Sequence, residues 1–297
     1  MKQKFKFGLL ASLLVFAFTP TLSHAKTIDV VSSFTILGDV VKNVGGDHVN
    51  VHNLVPANGD PHEFEPSPND AKLLQAAAVT FISGEGLETW FERLAKASGG
   101  AKKPIIVSTG IKTHDFEEDG KKVTDPHVWN SVPNVLIWVD NIEKALIEAD
   151  PEDAASFKAN ANVYRKQLQE LDASIRAQFA KIAQNERQVL TSHDAFGYYG
   201  HEYGVKFLSP LGLSTETEAS AADIAQLIDQ VKKEHVKMYF FENSNDPRMV
   251  EQIAKATGAQ AGGALYPESL SAADGPAATY IKLMNYNTNQ IINALKK

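Results

Sequence analysis

Residues 151–182 read PEDAASFKANANVYRKQLQELDASIRAQFAKI. Their apolar positions are Ala154, Phe157, Ala161, Tyr164, Leu168, Leu171, Ile175, Phe179 and Ile182, always three or four residues apart. That is one face of an α-helix sustained over many turns. No Gly or Pro interrupts the stretch after Pro151. At 1.5 Å per residue, a helix of about 32 residues runs roughly 48 Å. The reading is a stiff rod between two lobes, one that limits hinge motion between them.

The sequence on both sides of the rod alternates short β-rich runs with helical segments. Before it, Ile28–Phe34, Val49–Val55, Val79–Ser83 and Pro104–Ser108 read as strands, and Thr35–Val44, Pro68–Ala78 and Leu87–Ala97 as helices. Ser67 is placed to cap the second helix, with Pro68 at its first position. After the rod, Gln188–Thr191, Val205–Leu208 and Lys237–Phe241 read as strands. Ala195–Tyr203, Ala221–Val236, Pro247–Thr257 and Ala277–Leu295 read as helices. This alternation predicts βαβ units, hence an α/β fold of two lobes. Each lobe has a central, mostly parallel sheet flanked by helices, and one long rigid helix joins them. The expected boundaries are 26–150, 151–183 and 184–297.

Residues 1–25 read as a secretory signal peptide. Lys2, Lys4 and Lys6 precede an apolar run, Phe7–Phe18, and Ser23-x-Ala25 offers a cleavage site. The run is shorter than the roughly 20 residues of a spanning helix. The 297-residue chain has 29 Lys+Arg against 36 Asp+Glu, a formal net charge of −7, and no Lys/Arg-rich block. Nucleic acid is therefore not an expected partner. There is no cysteine, which excludes disulfides, thiolate metal ligands and a lipidated N-terminal Cys. The expectation is an exported, acidic protein of a Gram-negative periplasm, acting as a monomer.

Three histidines stand in loops suited to chemistry. His62 lies in NGDPHEFEPSP (58–68), where three prolines stiffen the chain and Asp60, Glu63 and Glu65 surround the imidazole. His127 lies in TDPHVW (124–129), repeating the Asp-Pro-His of 60–62. His193, in VLTSHDAFGY (189–198), falls near the C-terminal end of a strand, the edge where open parallel sheets bind ligands. Three imidazoles without a thiolate suit a borderline divalent ion such as zinc. A carboxylate would complete the set, and Glu242, Glu268 and Asp274 are the candidates on these grounds alone. His48, His52, His114, His201 and His235 read as solvated or capping residues.

The motifs DPHEFEP (60–66), DPHVW (125–129), SHDAFGY (192–198) and GPAATY (275–280), in this order along the whole mature chain, resemble the solute-binding proteins of zinc and manganese ABC transporters. The resemblance implies two α/β lobes joined by one long helix and a metal held between them. It implies His62 and His127 as ligands from the first lobe and His193 from the second. The fourth ligand in the family is an Asp in a Tyr-x-Asp-Ser-Leu-like stretch. Here that position is Glu268, in YPESL (266–270), with Asp274 as the fallback. Where zinc importers of the family often carry a long His- and acid-rich loop, this chain has only THDFEEDGKK (113–122), read as a short surface loop.

Three His and one carboxylate favour Zn2+ over Mn2+, which prefers more oxygen donors; Mn2+ is the alternative because Glu268 is longer than Asp and able to offer two oxygens. Asp125, Glu63 and Asp194 are the expected acceptors for the imidazole N–H groups. The loaded protein would dock on the membrane permease of an ABC importer. A secreted zinc hydrolase, with Glu242 or Glu63 as general base, is a weaker alternative because no His-Glu-x-x-His helix is present. A binding protein for an organic solute and a surface adhesin are further alternatives.

Overall fold

A computed structural model describes residues 27–100, 102–118, 121–216 and 219–296. Residues 1–25, expected from the sequence to be a signal peptide, lie outside the described residues. In the first lobe, β1 (Ile28–Phe34), β2 (Val49–Val55), β3 (Val79–Ile82) and β4 (Ile105–Ile106) form a parallel sheet in the order β2-β1-β3-β4. Six of the seven residues of β1 are buried, as expected of a parallel strand covered on both faces. Around the sheet lie α1 (Thr35–Gly45), α2 (Pro68–Ala76), α3 (Phe91–Ala97) and α4 (Val132–Ala149).

The predicted cap of α2 is present. The Ser67 hydroxyl accepts from Asp70 N–H, and the Asp70 carboxylate accepts from Ser67 N–H at 2.6 Å. The helix ends two residues earlier than the pattern suggests. The acidic stretch read as a loop is instead an antiparallel hairpin, β5 (Asp115–Glu118) with β6 (Lys121–Thr124). Backbone pairing gives this polar segment regular structure that its composition does not announce.

The rod is α5 (Ala154–Phe179), 26 residues and so about 39 Å long. It is shorter than the sequence reading because each end is tightened. Pro151–Asp153 form a separate 3-10 turn. Beyond Phe179, Arg187 donates through Nε and Nη2 to the Ile182 carbonyl, at 3.1 and 2.7 Å, and turns the chain away. The buried face of α5 is Phe157, Ala161, Tyr164, Leu168, Leu171, Ile175 and Phe179, the predicted stripe. It packs on α1 and α4 of the first lobe.

The second lobe repeats the plan. Its strands β7 (Gln188–Leu190), β8 (Lys206–Leu208), β9 (Met238–Glu242) and β10 (Gln260–Leu265) form a parallel sheet in the order β10-β9-β7-β8. Its helices are α6 (Gly197–Tyr203), α7 (Ala221–Lys233), α8 (Arg248–Thr257) and α9 (Tyr280–Leu295). The rod also contacts α6 and α9, so it is shared by both lobes. One hydrophobic cluster runs through the whole junction, and a smaller one lies under α7 and α8. No helix among the described residues is long and apolar enough to cross a membrane.

Candidate metal centre

The His62, His127, His193 and Glu268 side chains meet at the C-terminal edges of the two sheets. Each presents one ligand atom, and these four atoms lie within 4.8 Å of one another. The three Nε2 atoms converge on Glu268 Oε1, at 2.8 Å from His62, 3.2 Å from His127 and 3.1 Å from His193. Asp274 is exposed and stands outside the group.

The backbone explains how four distant residues reach one point. Asp60 Oδ1 accepts the His62 N–H at 2.7 Å, turning the DPH loop back on itself. Trp90 Nε1–H then holds the Pro61 carbonyl at 2.8 Å. Asp125 does the same for the second DPH motif, accepting the His127 N–H at 2.9 Å. His193 stands three residues beyond Leu190, the last residue of β7. The Glu268 loop is clamped by Asn287, whose carboxamide donates to the Tyr266 carbonyl and accepts from its N–H, at 2.8 and 2.9 Å.

Two imidazoles are oriented from behind. His127 Nδ1 faces Asp125 Oδ1 at 2.8 Å, as expected from the sequence. His193 Nδ1 faces Glu242 Oε2 at 2.5 Å. Neither Asp194 nor Glu63 takes that role: the Nδ1 atoms of His127 and His193 are taken by Asp125 and Glu242, and Glu63 is exposed at the surface. Glu242 is thus neither a ligand nor an exposed base. It is buried and accepts four contacts, from Ser192 N–H, His193 N–H, His193 Nδ1 and Asn245 Nδ2. The sequence places it at the end of a strand, but β9 meets the His193 segment only through the sheet.

Such a carboxylate fixes the ring tautomer, leaves Nε2 free to donate to a metal, and raises its basicity. The charges show in the protonation balance. Burial opposes a proton on His127, but Asp125 and Glu268 outweigh it and hold the imidazole at about 9. Burial likewise opposes charge on His193, and Glu242 and Glu268 raise it well above the usual range. Burial would raise the Glu268 carboxyl, yet the surrounding imidazoles, His193 first, hold it well below the carboxylate range. The cluster therefore carries its own charge compensation, with protonated imidazoles around an ionised carboxylate.

Of the other histidines, His48 pairs with Asp153 at 2.7 Å and His52 with Asp29 at 3.1 Å. His114 lies edge-on to His201, with ring centroids 4.5 Å apart.

Two parallel-sheet lobes, a shared long helix and a cluster of three imidazoles and one carboxylate between the sheet edges define a solute-binding protein of the metal ABC importer class. The chain belongs to the family described as the periplasmic component A of the zinc-uptake complex, whose model matches residues 30–294. Members of this class are solute-binding proteins, not enzymes.

Among its relatives are the manganese-binding lipoprotein MntA of Bacillus subtilis and the iron-binding protein YfeA of Yersinia pestis. The first is 34% identical over 303 residues, covering 97% of this chain and 99% of the relative. The second is 32% identical over 268 residues, covering 90% and 86%. Among solved structures, the periplasmic zinc-binding protein TroA of Treponema pallidum superposes with a TM-score of 0.85 at 27% identity, over 91% of this chain and 99% of that one. The Mn-bound periplasmic metal-binding protein of Candidatus Liberibacter asiaticus gives 0.81 at 31% identity, over 91% and 100%.

Proposed function

We propose that the protein binds one divalent ion at His62, His127, His193 and Glu268, takes Zn2+ in preference to Mn2+, and delivers it as a monomer to the membrane permease of an ABC importer. The observation that carries this reading is the convergence of three imidazole Nε2 atoms on a single carboxylate oxygen. Nitrogen-rich, four-donor sets suit tetrahedral zinc, whereas manganese favours more oxygen ligands. Glu268 supports this further, because its second oxygen accepts from the Ser244 hydroxyl at 3.3 Å and one oxygen is left for the ion. A catalytic zinc site keeps three protein ligands and an open position, so four buried protein donors favour binding over hydrolysis.

The positively charged start and apolar run of residues 1–25 support export to a periplasm. The lobe limits 26–150 and 184–297, with the joining segment 151–183, complete the proposal. A second reading is a manganese or iron carrier, favoured by the names of the relatives from Bacillus subtilis and Yersinia pestis. The two readings separate in a competitive titration of metal-stripped protein against a chelator, with bound metal counted. One Zn2+ held far more tightly than Mn2+ or Fe2+ is the expected result. Tighter manganese or iron binding would give the second reading, and no stoichiometric metal would reject both.

A further inference from the structure

The four ligands of the proposed site, on which this inference rests, are not equivalent, and the difference bears on how the ion moves. His127, His193 and Glu268 are wholly buried, while His62 retains 6% exposure. Asp125 and Glu242 back the outer nitrogens of His127 and His193. Among the described residues, no carboxylate backs His62 in that way; its polar contacts are the backbone bond to Asp60 and the cluster itself.

The side of the cluster away from His62 is sealed. Trp129 Nε1–H and Asn130 Nδ2–H both donate to the Pro267 carbonyl, at 2.7 and 3.3 Å. Tyr198 donates its hydroxyl to the Asp125 carbonyl at 3.0 Å. The His62 side is open: a surface cavity of about 560 Å³ has His62 in its wall, beside Glu63, Glu65, Thr89, Arg93 and Glu216. Three carboxylates against one guanidinium leave this mouth negative, as suits an arriving cation. Of the cross-lobe bonds to this loop, the one nearest His62 runs from Thr215 to Asp60 Oδ2 at 2.8 Å, while Asp60 Oδ1 holds the His62 N–H; Asn58 is bonded separately to Leu270 and Asn243.

We propose that the metal ion enters and leaves through this mouth, and that His62 is the first ligand to let go on release and the last to close on loading. Opening the Asp60–Thr215 strap frees the carboxylate that holds the His62 N–H, and touches no contact of the other three ligands. The other three ligands stay fixed by Asp125, Glu242 and the Pro267 junction.

The test is stopped-flow loading of the full metal-stripped protein with Zn2+, followed by a chelator chase. A ligand bond already broken in the transition state affects only koff, and one still intact affects kon. His62→Ala is expected to lose affinity wholly through koff, and His193→Ala through kon. Thr89→Trp narrows the mouth at an exposed residue that touches no ligand. It is expected to slow both rates by a common factor of about ten, leaving Kd unchanged. Thr215→Val keeps all four ligands, and is expected to raise koff and kon together, because the strap involves no ligand atom and restrains the loop whether or not an ion is bound. Unchanged rates in a stably folded Thr89→Trp variant would overturn the portal. A kon loss in His62→Ala, or an unchanged koff in Thr215→Val, would overturn the order of release. Wild-type zinc affinity in both His→Ala variants would instead reject the ligand set itself, a separate failure.

Discussion

The indole N–H of Trp129 donates to the main-chain carbonyl of Pro267 across 2.7 Å, so the loop bearing His127 is bonded directly to the residue preceding Glu268. The loops that carry one proposed ligand from each lobe are therefore joined across the cleft, with Asn130 adding a second bond to the same carbonyl at 3.3 Å. The same ring packs on Phe34 with centroids 4.8 Å apart, tying the junction to the end of β1.

Trp129→Phe keeps an aromatic ring and removes the donor. Loss of one buried hydrogen bond costs about 1 kcal/mol, and the smaller ring adds about 1–3 kcal/mol of lost stability. Metal affinity is expected to fall about fivefold to tenfold, with a lower melting temperature in the metal-free state. Chelator competition and thermal unfolding measure the two effects, and unchanged affinity would show that the junction does not support the site.

Glu242→Gln leaves the four proposed ligands in place but weakens the acceptor on His193. The expected loss of metal affinity is about 10-fold to 100-fold, smaller than the loss in His193→Ala. Isothermal titration of both variants tests the ranking.

His127 is held at about 9 in the metal-free cluster, so at neutral pH it carries a proton that the ion must expel. Metal affinity is expected to rise with pH up to about 9, with proton release measurable by calorimetry in buffers of different ionisation enthalpy. The metal-free fold has the opposite trend. A raised imidazole pKa adds stability that is full below the unfolded value of about 6.5 and is lost as pH rises towards 9. Identical heats in all buffers would exclude the coupling.

Asp39 in α1 accepts the Tyr280 N–H at 2.9 Å where α9 begins, and burial pushes its carboxyl up to about 6. A carboxyl with a raised folded pKa loses stability as pH climbs from about 4 to 6. Asp39→Asn retains an acceptor for Tyr280 and removes the charge. It is expected to be about 1–2 kcal/mol more stable than wild type at pH 7 and equal to it at pH 3. Urea unfolding of the metal-free proteins at the two pH values decides the matter.

Chelation of the loaded protein should lower its melting temperature, because an ion that binds only the folded state stabilises it. At free metal 1,000 times Kd that stabilisation is about 4 kcal/mol. A melting temperature that does not depend on metal would argue against a site formed between lobes.

The text of the chain carries the local decisions. The stripe on 154–179 makes a long helix whatever surrounds it, because apolar residues at sustained helical spacing must face one side. Ser67, Pro68 and Asp70 start α2 through bonds within four residues. Asp60 and Asp125 turn their loops onto His62 and His127 at a separation of two residues. Each of these depends on neighbours in sequence, and the ordered motifs, through the family they resemble, bring the four proposed ligands into view together.

Other features depend on partners far along the chain. β10, QAGGAL, has little strand propensity and is extended because β9 pairs with it. The sequence reading assigns no helix to α4, although Val135, Trp138, Val139, Ile142 and Leu146 hold a helical spacing that packs on the rod. Glu242 backs His193 from 49 residues away, and Trp129 reaches Pro267 across 138. Local propensity and spacing set the rod and the α2 cap, and single out the three loop histidines, while Glu268 comes into view only through the family resemblance. Which carboxylate orients each imidazole, which face of the cluster is sealed and which is open follow from contacts that exist only once the two sheets are docked, since hydrogen bonds and burial depend on distance in space rather than along the chain.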